Sequence, residues 1–332
     1  MKTLRMIGIA LFAVLMCVNF ASCSSEEDVE PDVPQKPKEY MVSLGFTGEI
    51  SVSESPLSRA SGNDLYGINV LCCPATGDTK NYTAYAYGLF DDLTTINITL
   101  LEGYKYKFVA TMIVDGKDKI YCNGGKYQEP FMPNNIWGCE ITNSFVLSKS
   151  AWLDGLSMGF VRMIEGTFRY PNIDRYYGEY IDYIPTENGS VSINMLRTVF
   201  GFKVIAENLT EGTLSVKIPT SPILVISHPE TEVEDVFAFY SVRDAFITED
   251  YSLNIPINFT WTKTDGAIIP LGSHDITFKR LKRTIVTVKI SDQTAENTMD
   301  ITLEDGEITD GENVTIENGE IVNGNVETGT EE

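Results

Sequence analysis

Histidine is nearly absent from this 332-residue chain, which has two, His228 and His274. They stand far apart with no cysteine or acid cluster beside them, and no Cys-x-x-Cys pair occurs, so the ligand spacing of a zinc site is missing. The vicinal Cys72 and Cys73 have no nearby histidine to activate a thiolate, which removes the usual basis for thiol redox or Cys-His hydrolase chemistry. Positive charge is scarce: 25 Lys and Arg against 47 Asp and Glu leave −22 at neutral pH. A surface of that sign repels phosphate backbones, so nucleic acid is not an expected partner. Long amphipathic helical stretches are lacking too, and the abundant carboxylates show no arrangement that marks an acid and base pair. The chain is therefore expected to be no enzyme, with no catalytic residue, metal or cofactor.

One long hydrophobic run is present, at the amino terminus. Lys2 and Arg5 precede an almost unbroken apolar stretch from Met6 to Phe20, followed by Ala21, Ser22 and Cys23 and then by Glu26, Glu27 and Asp28. A charged start, an apolar centre and a small-residue exit form a secretory signal, and the acids behind it offer no cationic stop-transfer cluster. Phe20-Ala21-Ser22-Cys23 resembles the bacterial lipobox, with Phe in place of the usual Leu, in which the cysteine is acylated and becomes the new amino terminus. The acids that follow resemble the export tag of Bacteroidales surface lipoproteins; the alternative is a solvated acidic linker. Loss of residues 1–22 removes Lys2 and Arg5 and no acid, taking the net charge from −22 to −24.

Residues 24–39, Pro-rich and charged, read as a tether. Alternation then begins at "YMVSLGFTGE", with Val42, Leu44 and Phe46 on one face, and fades at Ser53-Glu-Ser-Pro56. "DLYGINVLCC", "YTAYAYGLF" and "TINITLLEGYKYKFVATMIV" carry β-branched and aromatic alternation, the last with a Glu102-Gly103 turn that reads as a hairpin. Between Tyr121 and Tyr183 the pattern weakens into long loops and short elements. Strands resume at "GSVSINMLRTVFGFKVIAENL" and "GTLSVKI", with a weak helical signal at "EVEDVFAFYSVRDAF". "NIPINFTWTKTDG" and "HDITFKRLKRTIVTVKI" are expected to add one strand each.

This spacing of turns and strands predicts an all-β chain of two packed sandwiches. The expected boundaries are a signal peptide over 1–22, a lipidated tether over 23–39, sandwiches over 40–188 and 189–303, and an acidic tail over 304–332. That tail has ten acids and no Lys or Arg. It reads as a disordered acidic segment, as a strand given to a partner through "NVTIENGEIV", or as a calcium loop whose spacing fits no known pattern. Four cysteines stay in the body, Cys72, Cys73, Cys122 and Cys139; of the three full pairings, Cys122 with Cys139 closes the shortest loop besides the vicinal pair. Scattered aromatics, Trp137, Trp152, Tyr176 and Tyr177, leave room for a surface glycan-binding protein, though such aromatics are more often core.

The order of the lipobox at Cys23, a first strand before "SESPLSRAS", then "DLYGINV", "AYGLF", "INITLLEGYKYKFVATM" and "INMLRTVFGFKVIAENLTEG" resembles the fimbrillin-like surface lipoproteins of Bacteroidales, the FimA/Mfa-type pilus subunits, over roughly residues 1–290. The resemblance implies two transthyretin-like sandwiches and export to the outer face of the outer membrane on a lipid anchor. It also implies cleavage by an arginine-specific protease after the first strand, and insertion of a C-terminal segment of the next subunit into the groove so opened. Arg59, with Ala60 as the new amino terminus, occupies the matching place; an accessible loop arginine is the alternative. The partners implied are other pilus subunits, bound by strand addition. The acidity of the tail leaves stalk, anchor and tip roles open.

Overall fold

The computed structural model describes residues 36–49, 63–76, 81–157, 159–290, 301–308, 316–317 and 320–321. Cys23, Arg59, Ala60 and most of the tail lie outside the described residues. What is described is all-β and sandwich-like, as the alternation predicts.

The amino-terminal part contains β1 (Glu39–Gly48), β2 (Leu65–Pro74), β3 (Thr83–Phe90), β4 (Asn97–Leu101) and β5 (Tyr104–Ile113). Short strands β6 (Cys122–Asn123), β7 (Lys126–Tyr127), β8 (Val146–Leu147), β9 (Val161–Met163) and β10 (Gly166–Phe168) follow, and then the long β11 (Arg175–Tyr183) and β12 (Gly189–Arg197). The principal sheet runs β4-β1-β12-β11-β5-β2-β3-β8. Only Tyr176↔Arg197 and Tyr177↔Leu196 join β11 to β12, so the sheet turns a corner there. The layer β4-β1-β12 packs across Val42, Leu44, Ile98, Leu100, Val191 and Ile193 onto Ile68, Val70, Tyr106 and Phe108 of the other layer, all of them buried.

Glu102-Gly103 makes the expected tight turn, with Gly103 at φ 87°, but not the expected hairpin. β4 pairs with β1, and β5 pairs with β2 and β11. Ile98 and Leu100 on one side and Tyr106 and Phe108 on the other are all drawn into one core, so the chain crosses from layer to layer at the turn. Local alternation specifies a strand and its buried face; it does not specify the neighbour.

The weakly patterned stretch from Val114 to Asp174 covers the opposite face of the β2-β3-β5-β11 layer. Phe131, Leu153, Leu156 and Val161 pack there on Leu65, Leu89, Ile113 and Tyr177, and Val199, Ala238 and Val242 join the same cluster from the carboxy-terminal part. β11 escapes the sequence reading because its first half is buried on both faces, which erases the alternation. Arg175 at its start is 1% exposed. Its guanidinium donates to the carbonyls of Gly155 and Leu156 at 2.7 and 2.9 Å and to Thr111 Oγ1 at 3.2 Å, tying the covering segment to the sheet without a carboxylate. Burial lowers its pKa to about 9, which leaves it protonated at neutral pH.

The carboxy-terminal part contains β13 (Val199–Glu207), β14 (Thr213–Lys217), β15 (Leu224–Ser227) and β16 (Glu232–Ala238), then a short helix (Val242–Ile247); of the stretch with the weak helical signal, the first half is therefore strand and only the end is helix. β17 (Ser252–Thr262), β18 (Ile268–Lys279), β19 (Lys282–Lys289) and β20 (Ile301–Glu307) complete it, and Ile316–Glu317 pairs with Glu320–Ile321 as a small hairpin. Sheets β16-β13-β19-β20 and β15-β14-β17-β18 face each other across Phe202, Val204, Leu214, Val216, Phe259 and Phe278.

Two details differ from the sequence expectation. β12, expected to open the second sandwich, pairs with β1 and β11 and belongs to the first; the change of sandwich comes at Thr198. "HDITFKRLKRTIVTVKI" is not one strand but the end of β18 and the whole of β19, split at Arg280-Leu281, where Leu281 takes φ 59°. The two halves go to opposite layers.

The two strand sets share one topology. In each, the first strand lies between the fourth, antiparallel, and the seventh long strand, parallel: β4-β1-β12 and β16-β13-β19; β20, paired with β19, has no counterpart beside β12. In each, the second strand lies between the third and fifth, β3-β2-β5 and β15-β14-β17, and the fifth reaches the sixth long strand, β11 or β18.

Candidate functional site

β1 is the strand on which the site is built. Its antiparallel ladder to β4 runs from Glu39↔Leu101 to Ser43↔Asn97, and its parallel ladder to β12 from Val42↔Gly189 to Gly48↔Met195. Val42 and Leu44 are buried, and Phe46 stacks on Tyr66 with ring centroids 5.8 Å apart. The intervening side chains face outward, where Ser43 Oγ donates to Asn97 Oδ1 at 2.6 Å and Met41 N–H to Asn188 Oδ1 at 2.8 Å. Burying one aliphatic side chain contributes about 1.5–3 kcal/mol. β1 is thus held by two backbone ladders and a short apolar row, and it leads directly into the segment that contains Arg59.

The far end of β1 is clamped. Gly48 has φ 91°, and a Cβ there would lie 2.2 Å from Asn194 Oδ1 and 2.6 Å from the Met195 carbonyl. No side chain fits so close to β12, and few residues adopt that backbone. Glu49, next in line, accepts from the Arg197 N–H, and Arg280 Nη1 donates to its two oxygens at 3.0 and 3.1 Å. The same Nη1 donates to the Arg197 carbonyl at 3.1 Å. Arg197 in turn grips Asp174 through Nε and Nη2 at 2.8 and 2.9 Å. Because Arg280 sits in the β18–β19 turn, this network joins the exit of β1 to the carboxy-terminal sandwich.

A second feature is a groove of about 630 Å³ on the β2-β5-β11 face, bordered by Trp152, Asp154, Lys149, Tyr82, Lys107 and Arg243. Trp152 is part-exposed and its Nε1 donates to Asp154 at 3.2 Å. At the groove wall Glu179 accepts from Tyr177 Oη, Lys107 Nζ and Arg243 Nε, the last two at 2.8 Å. Burial alone would raise the Glu179 carboxyl; the hydrogen bonds from Lys107 and Tyr177, with help from Arg243, outweigh it and hold the pKa below the ordinary value.

Of the aromatics the sequence offers as sugar platforms, Tyr176 and Tyr177 are buried core residues, Tyr177 at the base of the groove. Trp137 is 67% exposed and Trp152 lines the groove. The structure contains no Cys122–Cys139 bridge. Cys122 and Cys139 both pair with Tyr127, from separate segments, so Tyr127 stands between them. With neighbouring strands about 4.7–4.9 Å apart, their Cα atoms are separated by roughly twice that, beyond the reach of about 7 Å for a disulfide. Burial pushes the Cys139 thiol up to about 12. Sequence reading misses Gly48, Glu49 and Arg280 altogether: a Gly-Glu pair at a strand end is a visible signal, but its cation lies 231 residues away.

No family model and no curated protein matches the chain. Solved structures do. The chain is similar to the fimbrial anchor protein Mfa2 from Porphyromonas gingivalis, with 8% identity over 82% of this chain and 98% of that one and a TM-score of 0.38. It is also similar to the tip fimbrial protein Mfa3 from the same organism, with C-terminal truncation, at 9% identity over 81% and 100% and a TM-score of 0.33. A third similar structure is a candidate cell adhesion protein from Bacteroides uniformis, at 11% identity over 82% and 99% and a TM-score of 0.37. Its structural neighbours thus include fimbrial proteins. At these identities and TM-scores no residue's role passes from them to this chain.

Proposed function

We propose that the chain is a non-enzymatic structural or adhesive component of a bacterial pilus, exported as a lipoprotein on Cys23 and assembled by strand exchange at the groove of β1. The placement of β1 carries the reading: a first strand, interior to its layer, with a short apolar row, runs straight into the segment that holds Arg59. Cleavage after Arg59 would cut the only covalent link between β1 and β2. Withdrawing β1 would bare the ladder edges of β4 and β12 together with the pockets of Val42 and Leu44, a template for an extended segment from another subunit. A subunit that keeps β1 and its lipid would instead serve as an anchor at the outer membrane.

Intact mass and amino-terminal sequencing of membrane and sheared-surface fractions test this. A chain beginning at Ala60 in the sheared fraction, absent from an Arg59→Ala strain, supports a polymerising subunit. A lipid-bearing Cys23 confined to the membrane supports an anchor. A chain that bears no lipid and is uncut at Arg59 overturns both. The groove beside Trp152 favours a second reading, a glycan-binding surface lipoprotein; calorimetric binding of a polysaccharide, lost on Trp152→Ala, is its test, and absence of binding removes it.

A further inference from the structure

We propose that the β1 groove is a carboxylate-keyed site whose fitting occupant is a segment of a different chain, and that it rejects this chain's own tail. This rests on the strand-exchange reading and specifies what the groove accepts.

The key is at the exit of β1. Arg280, 10% exposed in its side chain, spends Nη1 on both oxygens of Glu49 and on the Arg197 carbonyl, and its buried Nε has no hydrogen-bond partner among the described residues. When β1 leaves, Glu49 leaves with it and the guanidinium loses its carboxylate. A buried cation without its counter-ion is costly, so an incoming strand that returns a carboxylate to this point is favoured over one that does not. Immediately before the carboxylate the occupant must be glycine, because of the close approach at position 48. Upstream, the inward positions two, four and six residues before that glycine are those of Phe46, Leu44 and Val42. The groove therefore asks for apolar residues at alternate positions, then glycine, then an acid, running parallel to β12.

The tail of this chain has three Gly-Glu pairs, Gly306-Glu307, Gly311-Glu312 and Gly319-Glu320. Set in the key, the first would place Glu304, Thr302 and Asp300 inward, the second Thr309, Glu307 and Asp305, and the third Glu317, Thr315 and Asn313. Every one of these is polar. The apolar residues nearest the first and third pairs, Ile301, Leu303, Val314 and Ile316, fall on the opposite parity. A one-residue slip would turn them inward but move the carboxylate off Arg280 and a bulkier residue onto the glycine position, since register and face are linked. The tail can satisfy the pockets or the key and not both, so the tail of a second copy is the wrong occupant.

The test uses the chain from Ser24 onward, cut after Arg59, and labelled peptides amidated at the carboxy terminus so that only side chains supply charge. The peptide of residues 38–49 should displace the resident strand, and the same peptide with Glu49→Gln should bind about tenfold more weakly, a difference of about 1.4 kcal/mol. Tail peptides 296–307, 301–312 and 309–320 should bind no better than the Glu49→Gln peptide. In an Arg280→Gln protein the two β1 peptides should become equal. Equal binding in the unmodified protein, or capture of a tail peptide as tight as 38–49, overturns the proposal while leaving strand exchange intact. Failure of every peptide, 38–49 included, overturns strand exchange and this inference with it. In the uncut chain, Glu49→Gln should speed amide exchange across Val42–Phe46 and not across β13; unchanged exchange there also overturns the key.

Discussion

β1 and β13 hold corresponding places in two strand sets, yet they are held differently. Both are flanked by the fourth strand and, in parallel, by the seventh long strand of their set. β13 is joined to β12 through one residue, Thr198, and its first four residues, Val199 to Phe202, are buried on both faces, with Phe200 packed on Phe237, Phe239 and Phe278. β1 buries only alternate residues and is preceded by a charged Pro-rich segment. Equal hydrogen bonding therefore does not mean equal commitment. What separates the two strands here is double-sided burial and a short covalent link, neither of which the ladder diagram contains.

Three tests bear on the two strands and a fourth on the groove wall. Phe200→Ala should cost about 3–5 kcal/mol, as deletion of a fully buried aromatic does, and lower the denaturant midpoint of the whole carboxy-terminal sandwich. Leu44→Ala, at about 2–5 kcal/mol, should instead loosen β1 alone, read as faster amide exchange in β1 and β4 with the near-ultraviolet signal of Trp261 unchanged. If both variants unfold the same region, the two strands are not distinct in the way argued. Gly48→Ala adds a Cβ into backbone and forces a left-handed φ, so about 1–3 kcal/mol is expected. The comparable Gly201→Ala in β13 meets Arg283 Cα and Ile308 Cγ1 at 3.2 Å without a positive φ and should cost less. The smallest effect concerns the groove wall. Because folding lowers the Glu179 pKa, its contribution is complete above about 4.5, the ordinary value, and is lost as pH falls through the lower folded value. Stability measured at neutral pH and again below 4 should fall by less in Glu179→Gln than in the unsubstituted chain.

The single faces of β1, β4 and β12 were legible because each is half-buried, which leaves an alternation such as Val191, Ile193, Met195 in plain view. β11 was not, because burial on both faces and the charge of Arg175 hide the period. Strand partners were illegible at Glu102-Gly103 and Arg280-Leu281 for one reason: a tight turn looks the same whether the chain returns to its own layer or crosses to the other. The site shows the same division. The row Val42, Leu44, Phe46 is written locally; the Glu49–Arg280 pairing depends on tertiary folding between residues far apart in the sequence. Cys122 and Cys139 are a warning in the other direction, since nearness in sequence suggested a bond that a shared neighbour, Tyr127, keeps apart.

The parallel alignment of β1 with β12 also decides how the molecule bears load. Tension between the start of β1 and the carboxy-terminal sandwich pulls the two strands from opposite ends, since β12 continues through Thr198 into β13. The seven register pairs from Val42↔Gly189 to Gly48↔Met195 are then sheared together rather than peeled one at a time. An antiparallel first strand, tethered at the same terminus, would unzip.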